Sequence, residues 1–242
     1  MEIYNETGKT KTGELRVTRP IGALIIGMSQ NFGALTNETI TAFVERANGN
    51  NTEICTDLPL KAFIAASTAG NPAVFEDVDV THALCELCEE GSINLQGTES
   101  IKIKLDGLKS AVTYSINGLE YPAHANSVAL FTRKNILDGE TEKRYNVEEQ
   151  ELMLIEGVDN ILEMNVAFSN GITCKYTPAE IKAISRDFDA VKSVKVGLAG
   201  ITSYDLPGLV TYPLIAVLNI DIKKQSGVPV TLYLKNDNQK FS

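Results

Sequence analysis

Few side chains in this sequence are of the kinds that carry chemistry, and their spacing limits what each can do. His82-x-x-Cys85-x-x-Cys88 has the separation of a metal-binding cluster. A structural zinc needs four ligands, however, and no second Cys-x-x-Cys or histidine pair accompanies it. The three residues are expected along a short helix with one edge in the core, since unpaired cysteine is commonly buried. His82 and His124 are the two histidines of the chain, too few to supply a histidine-based triad readily. Carboxylates pair as Asp77/Asp79 and in Glu148-Glu149-x-Glu151. Two acids flanking a cleft can hydrolyse a glycoside, but acidic runs of this kind are usually solvated faces. Gly8-Lys9-Thr10 resembles the end of a phosphate-binding loop, yet Ile3 stands where the first glycine belongs and no strand is expected before it. Neither G-x-S-x-G nor G-x-G-x-x-G occurs. No catalytic, cofactor-binding or metal-binding residue is therefore assigned, and the chain is not expected to be an enzyme.

The elements around these residues are organised by a repeat. Ile40–Ala47 is strand-like and ends in Asn48-Gly49; a short run with Cys55 follows, then Pro59 and Leu60–Ser67. Ile161–Phe168 ends in Asn170-Gly171; a short run with Cys174 follows, then Pro178 and Ala179–Ser185. The offsets are 122 for the glycines, 119 for the cysteines and the prolines, and 121 from Lys61 to Lys182, against a half-length of 121. Each copy reads as a hairpin turned by Asn-Gly and then a helix with proline at its start. In the second copy Thr177-Pro178-Ala179-Glu180 is a capping box, with Ile181, Ile184 and Phe188 at helical spacing behind it. In the first, Thr56 or Asp57 is expected as the cap and Gly70 as the stop. Cys55 and Cys174 are expected to fill equivalent core positions.

Composition narrows the class. A net charge of −9 argues against broad nucleic-acid binding, which needs a basic surface. The first residues lack the basic and apolar regions of a signal peptide, so the four cysteines are expected as free thiols.

In order, residues 1–12 read as a polar arm. Leu15–Val17 and Ile21–Met28 are extended, divided by Pro20, and Thr36–Glu38 is expected as one helical turn. Ala73–Phe75 is a short strand. A helix capped by Asp79 or Thr81 is expected through Leu84 and Leu87 to Gly91. Ile101–Leu105 alternates and turns at Asp106-Gly107, and a strand from Val112 and Tyr114 is expected to end at Asn117-Gly118. The irregular stretch 121–126 marks a domain boundary. Ser127–Ile136, Glu148–Ile155, Val194–Leu198, Leu214–Ile222 and Val228–Leu234 are further strands. Three Asn-Gly and two Asp-Gly pairs among short alternating runs indicate an all-β chain with a few short helices.

The even repeat, the strand–Asn-Gly–strand–helix unit in each half (Ile40–Ser67 and Ile161–Ser185), and Ser127–Asp138 opening the second half resemble the double jelly-roll major capsid proteins. These are the shell proteins of tailless, membrane-containing icosahedral bacteriophages, here of the small corticovirus-like type. The resemblance implies two tandem jelly-roll β-barrels, with residues 1–12 an N-terminal arm, 13–120 the first barrel and 121–242 the second. It implies a structural protein that forms pseudo-hexameric homotrimers tiling an icosahedral shell over an internal lipid membrane. Its partners would be its own copies, penton or minor capsid proteins and that membrane, with no cofactor and no direct nucleic-acid contact. Its place would be the virion capsid after synthesis in the host cytoplasm. The alternative is a carbohydrate- or receptor-binding β-sandwich such as a phage spike or lectin, and a third reading is a jelly-roll hydrolase.

Overall fold

The alternating runs fold as strands, and the order in which they pair repeats. The computed structural model describes residues 1–68, 74–76, 80–187, 192–197, 200–205 and 208–240. The first half contains β1 (Glu2–Glu6), β2 (Leu15–Val17), β3 (Ala23–Met28), β4 (Thr39–Glu45) and β5 (Thr52–Pro59). Helix α1 (Leu60–Ser67), β6 (Val74–Glu76), β7 (Thr81–Glu86), β8 (Ser100–Asp106) and β9 (Tyr114–Leu119) complete it. The second half contains β10 (Ser127–Ile136), β11 (Glu142–Asn146), β12 (Leu152–Glu156), β13 (Ile161–Phe168), β14 (Thr173–Tyr176) and helix α2 (Pro178–Asp187). It ends with β15 (Lys192–Gly197), β16 (Gly200–Asp205), β17 (Leu209–Pro213), β18 (Val217–Lys224) and β19 (Val230–Lys240). Neither helix is long and apolar enough to cross a membrane.

In the first half the chain shuttles between sheets ordered β1-β9-β3-β7 and β2-β8-β4-β5. In the second it shuttles between β10-β19-β12-β17 and β11-β18-β13-β14. Matching β1 to β10, β2 to β11, β3 to β12, β4 to β13, β5 to β14, β7 to β17, β8 to β18 and β9 to β19 makes the two orders identical. Alternate passage between two sheets in this order is a jelly roll, so the chain is two jelly rolls in tandem. Both helices follow the hairpin of the second sheet. β6, β15 and β16 extend the β1-containing sheet to seven strands; β6 pairs with β7 antiparallel and with β15 parallel.

The repeated hairpins are built alike at the turn. Gly49 N donates to Arg46 O at 3.0 Å and Gly171 N to Phe168 O at 3.0 Å, with φ of 81° and 82° at the two glycines. Glycine tolerates that left-handed conformation without a β-carbon penalty. The asparagine before each glycine accepts from the backbone two residues on: Asn50 N to Asn48 Oδ1 at 2.9 Å, and Ile172 N to Asn170 Oδ1 at 3.0 Å. The capping box of α2 forms as its residues imply. Thr177 N donates to Glu180 Oε2 at 2.7 Å, and Glu180 N to Thr177 Oγ1 at 3.4 Å.

Several expectations are corrected. Residues 1–12 are not a free arm, because Glu2–Glu6 is the outer strand of a sheet, paired with β9 and anchored by buried Tyr4. Thr81–Glu86 is a strand rather than a helix, with Thr81, Ala83 and Cys85 buried at period two. The helical turn expected at Thr36–Glu38 lies earlier, at Phe32–Ala34. Asn117-Gly118 is not a turn: β9 runs through it because β1 and β3 pair with it on either side. The α1 N-cap is Pro59 without a side-chain bond, whereas Asp57 (φ 44°) sits in a bulge where its N–H donates to Thr41 Oγ1. Cys55 is buried as expected but Cys174 is only half-buried. Gly70, Phe188 and the Asp79 cap fall outside the described residues.

Two hydrophobic clusters form. One gathers the first barrel together with Val128, Phe131, Leu152, Leu154 and Tyr233 from the second. The other fills the second barrel around Met153, Ile155, Met164, Ile220 and Leu232. The residues of β12 therefore alternate, with Met153 and Ile155 turned into their own barrel and Leu152 and Leu154 turned out toward the first.

Candidate functional site

Strand geometry separates the residues whose spacing suggested a metal. Side chains three apart on a strand point to opposite faces. His82 is exposed, whereas Cys85 is buried and Cys88, just past the strand, is buried too. Burial raises the Cys85 thiol and pushes Cys88 up to about 12, so neither offers a thiolate near neutral pH. His124 lies on the irregular stretch beyond β9, bridged to Ser92, and is exposed. Asp77 and Asp79 lie outside the described residues. Among the described residues, no group of three His, Cys, Asp or Glu side chains is placed to hold a metal ion.

The remaining motifs resolve into surface and scaffold. Gly8-Lys9-Thr10 is preceded by β1, contrary to expectation, but it leads to β2 and not to the helix a phosphate loop requires. Glu148, Glu149 and Glu151 line the solvent side of a turn. Partial burial, and then a hydrogen bond with and the charge of Asp237, push Glu151 up to about 6.

Among the described residues, the most enclosed carboxylate was read in the sequence only as part of a helical turn. Glu38, 2% exposed, accepts from Thr36 N at 2.7 Å, Asn37 N at 3.0 Å, Gln30 Nε2 at 3.1 Å and the Tyr114 hydroxyl at 2.9 Å. Lys109 Nζ stands 3.4 Å away. Burial alone would raise its pKa; the donors outweigh that and hold the carboxyl below its ordinary range. It borders a cleft of about 520 Å³ between the barrels that also contains Lys61, Arg133, Glu156 and Tyr233. Glu156 receives the Tyr233 hydroxyl at 2.6 Å. With both carboxylates held by donors, the cleft has the chemistry of a scaffold joint rather than of a general base.

The chemically informative feature is how the outer sheet faces are covered. α1 is buried along its length except at Lys61, which is half-buried at the cleft: Leu60, Ala62, Phe63, Ile64, Ala65, Ala66 and Ser67 all lie inside. A helix that is apolar all round is enclosed all round. Its partners are β4, β5 and β7 of its own barrel and β12 and β19 of the other. Phe63 meets Phe131 edge-on, ring centroids 5.0 Å apart and planes at 62°. Ala129 N adds a hydrogen bond to Leu87 O at 2.7 Å across the same seam. The sequence carried this signal in Leu60–Ser67, whose one charged residue is Lys61.

α2 is different. It lies on β13, β14 and β17 of its own barrel, burying Ile181 and Ser185, while Ala179, Glu180, Ala183 and Arg186 are exposed. The sheet face of the first barrel that corresponds to the seat of α1 carries Ile25 and Leu84, both half-buried. Beside them Phe75 is 50% exposed.

Two jelly rolls in tandem, joined by a buried helix, define the double jelly-roll class. Solved structures of that architecture are similar to the whole chain. The major capsid protein P2 from bacteriophage PM2 matches with a TM-score of 0.55 at 12% identity, over 100% of this chain and 95% of that one. A chain of the Sulfolobus Turreted Icosahedral Virus matches with a TM-score of 0.51 at 9% identity, over 97% and 90%. Identities this low carry the fold across and nothing finer. No protein-family model and no curated protein matches the sequence.

Proposed function

We propose that this chain is a shell-forming major capsid protein, assembling as pseudo-hexameric homotrimers that tile an icosahedral capsid over an internal membrane. The observation that carries the reading is the end-to-end match of both barrels to the PM2 capsid protein, with little of either chain left over. In this reading the division between the barrels lies in the stretch between β9 and β10, near residue 121. Three chains then present six similar barrels, enough for a hexagonal outline. The chain acts through its surfaces and requires no catalytic residue, metal or cofactor. Its partners are further copies of itself, penton or minor capsid proteins and the lipid beneath. A charge of −9 suits a layer that lipid separates from nucleic acid. The protein is made in the host cytoplasm and ends in the virion.

Light scattering on purified protein tests this directly. The expected mass is that of three chains, and negative-stain images should show particles with a hexagonal outline. A stable monomer that binds glycans and never joins a shell would refute the proposal.

A further inference from the structure

We infer that helix α2 of one copy seats on the outer face of the β1-β9-β3-β7 sheet of a second copy, repeating between chains the contact that α1 makes within one. The inference rests on the trimer reading above and names the surfaces that would form its seam.

The template is inside the chain. α1 packs against the outward residues of the β10-β19-β12-β17 sheet, where Leu154 pairs with Thr211 on one side and Tyr233 on the other. The matching row of the first barrel is Leu84–Ile25–Asn117, formed by β7, β3 and β9. Directly paired residues share a face, and so do residues two apart on a strand. Ile25 and Leu84 are thus on the outward side, since Leu24, Ile26, Ala83 and Cys85 fill the core. The next row brings Phe75 beside His82 and Gly27 on that side. An aromatic left 50% exposed on a sheet face, next to two half-buried aliphatics, is a strip suited to being covered.

The helix to cover it is the counterpart of α1. Pro178 begins α2 where Pro59 precedes α1, and each helix follows the equivalent hairpin. α2 holds to its own barrel through Ile181 and through Ser185, whose hydroxyl accepts from Thr211 N at 3.0 Å. Its far side shows Ala179, Ala183 and Arg186 to solvent. Arg186 finds opposite charge in Glu86, which lies on the same outward face of β7 as Leu84. Each copy offers one such helix and one such face, at different places on the molecule. The contact is therefore heterologous, and its repetition closes a ring when the rotation allows.

The charge substitutions are at exposed Phe75 and Ala183, and the cross-linking ones add half-buried Leu84 and Cys174, where the monomer tolerates change. Phe75→Glu and Ala183→Arg should each reduce the scattering mass threefold, from three chains to one, with far-UV circular dichroism unchanged. In a Cys174→Ser background, Leu84→Cys with Ala183→Cys should give chains linked by disulfides on non-reducing gels, and neither cysteine alone should. A wild-type trimer that survives both charge variants and never cross-links would overturn this seam while leaving the trimer standing. A wild-type protein that stays a single chain at every concentration would overturn the trimer and the seam together.

Discussion

The joint between the barrels gives a quantitative prediction. Phe63 is 0% exposed and Phe131 2%, and their rings meet edge-on at 5.0 Å. Truncating a buried phenylalanine to alanine costs about 3–5 kcal/mol through lost transfer energy and the cavity left behind. The upper part of that range applies to Phe63→Ala. Its helical neighbours Ala62, Ala65 and Ala66 are too short to fill the space. About 4 kcal/mol is a large share of the roughly 5–15 kcal/mol that holds a typical domain folded. Phe131→Ala should cost about 3 kcal/mol, because its strand remains paired with β19.

A double-mutant cycle isolates the contact itself. An aromatic pair contributes about 0.5–1.5 kcal/mol beyond its buried area, so the double variant should lose about 1 kcal/mol less than the sum of the singles. The assay is urea unfolding at one protein concentration, followed by circular dichroism and tyrosine fluorescence. The wild-type probes should coincide, since one hydrophobic cluster spans both barrels. In the double variant they should separate, as the second barrel keeps its own cluster. Strict additivity, with coincident probes throughout, would refute the claim that α1 couples the barrels.

Other perturbations have defined outcomes. Thr177→Ala removes the hydroxyl that receives Glu180 N and should cost about 1 kcal/mol in urea unfolding. Glu38→Gln should cost about 2 kcal/mol, the scale of hydrogen bonds to a buried charge. Because the Glu38 carboxyl is held below its ordinary 4.5, its contribution is complete above that pH and disappears as the pH falls through the native value. The acid limb of the stability profile should therefore flatten in the variant. Glu151 has the opposite sign: its carboxyl is pushed up from 4.5 to about 6, so the folded state is favoured by the bound proton and loses stability as the pH rises through that window. Partial burial is the largest cause; Asp237 and then Glu89 add to it, and Lys235 opposes them. Glu151→Gln should remove the decline, measured as melting temperature between pH 4 and 7.

The parts legible in the sequence were those written locally. The Asn-Gly hairpins, the capping box at Thr177 and the strand Ser127–Ile136 each depend on residues close together in the chain, and the structure keeps them. The misreadings came where distant strands decide. Asn117-Gly118 has turn chemistry, yet β1 and β3 hold it flat from both sides. β1 itself buries Tyr4 alone, too weak a pattern to stand out from a polar segment. In Thr81–Cys88, Leu84, Leu87 and Cys88 fit helical spacing as well as Thr81, Ala83 and Cys85 fit a strand. Pairing with β3 decides for the strand. β16 and β17 were missed for different reasons: β17 is made a strand by pairing with distant β12, whereas β16 pairs with β15 just before it but its run Gly200–Asp205 carries little apolar pattern. Cys85 was placed in the core correctly, but on the wrong element, and the strand is what turns His82 away from it.

The two helices show how one duplicated unit can serve two seams of different strength. A surface buried during folding can be apolar throughout, because it never faces water in the finished chain; α1 meets that description apart from Lys61, which borders the cleft. A surface that stays open until another copy arrives cannot be, since large exposed apolar patches associate indiscriminately. α2 satisfies the second condition with alanine and charge on its open side and isoleucine only toward its own barrel. Substitution of the same topological element from apolar to polar thus separates what must fold first from what is joined later. The proposed seam between chains should accordingly be weaker than the internal one and more sensitive to salt, since part of its attraction is Arg186 with Glu86 rather than buried carbon.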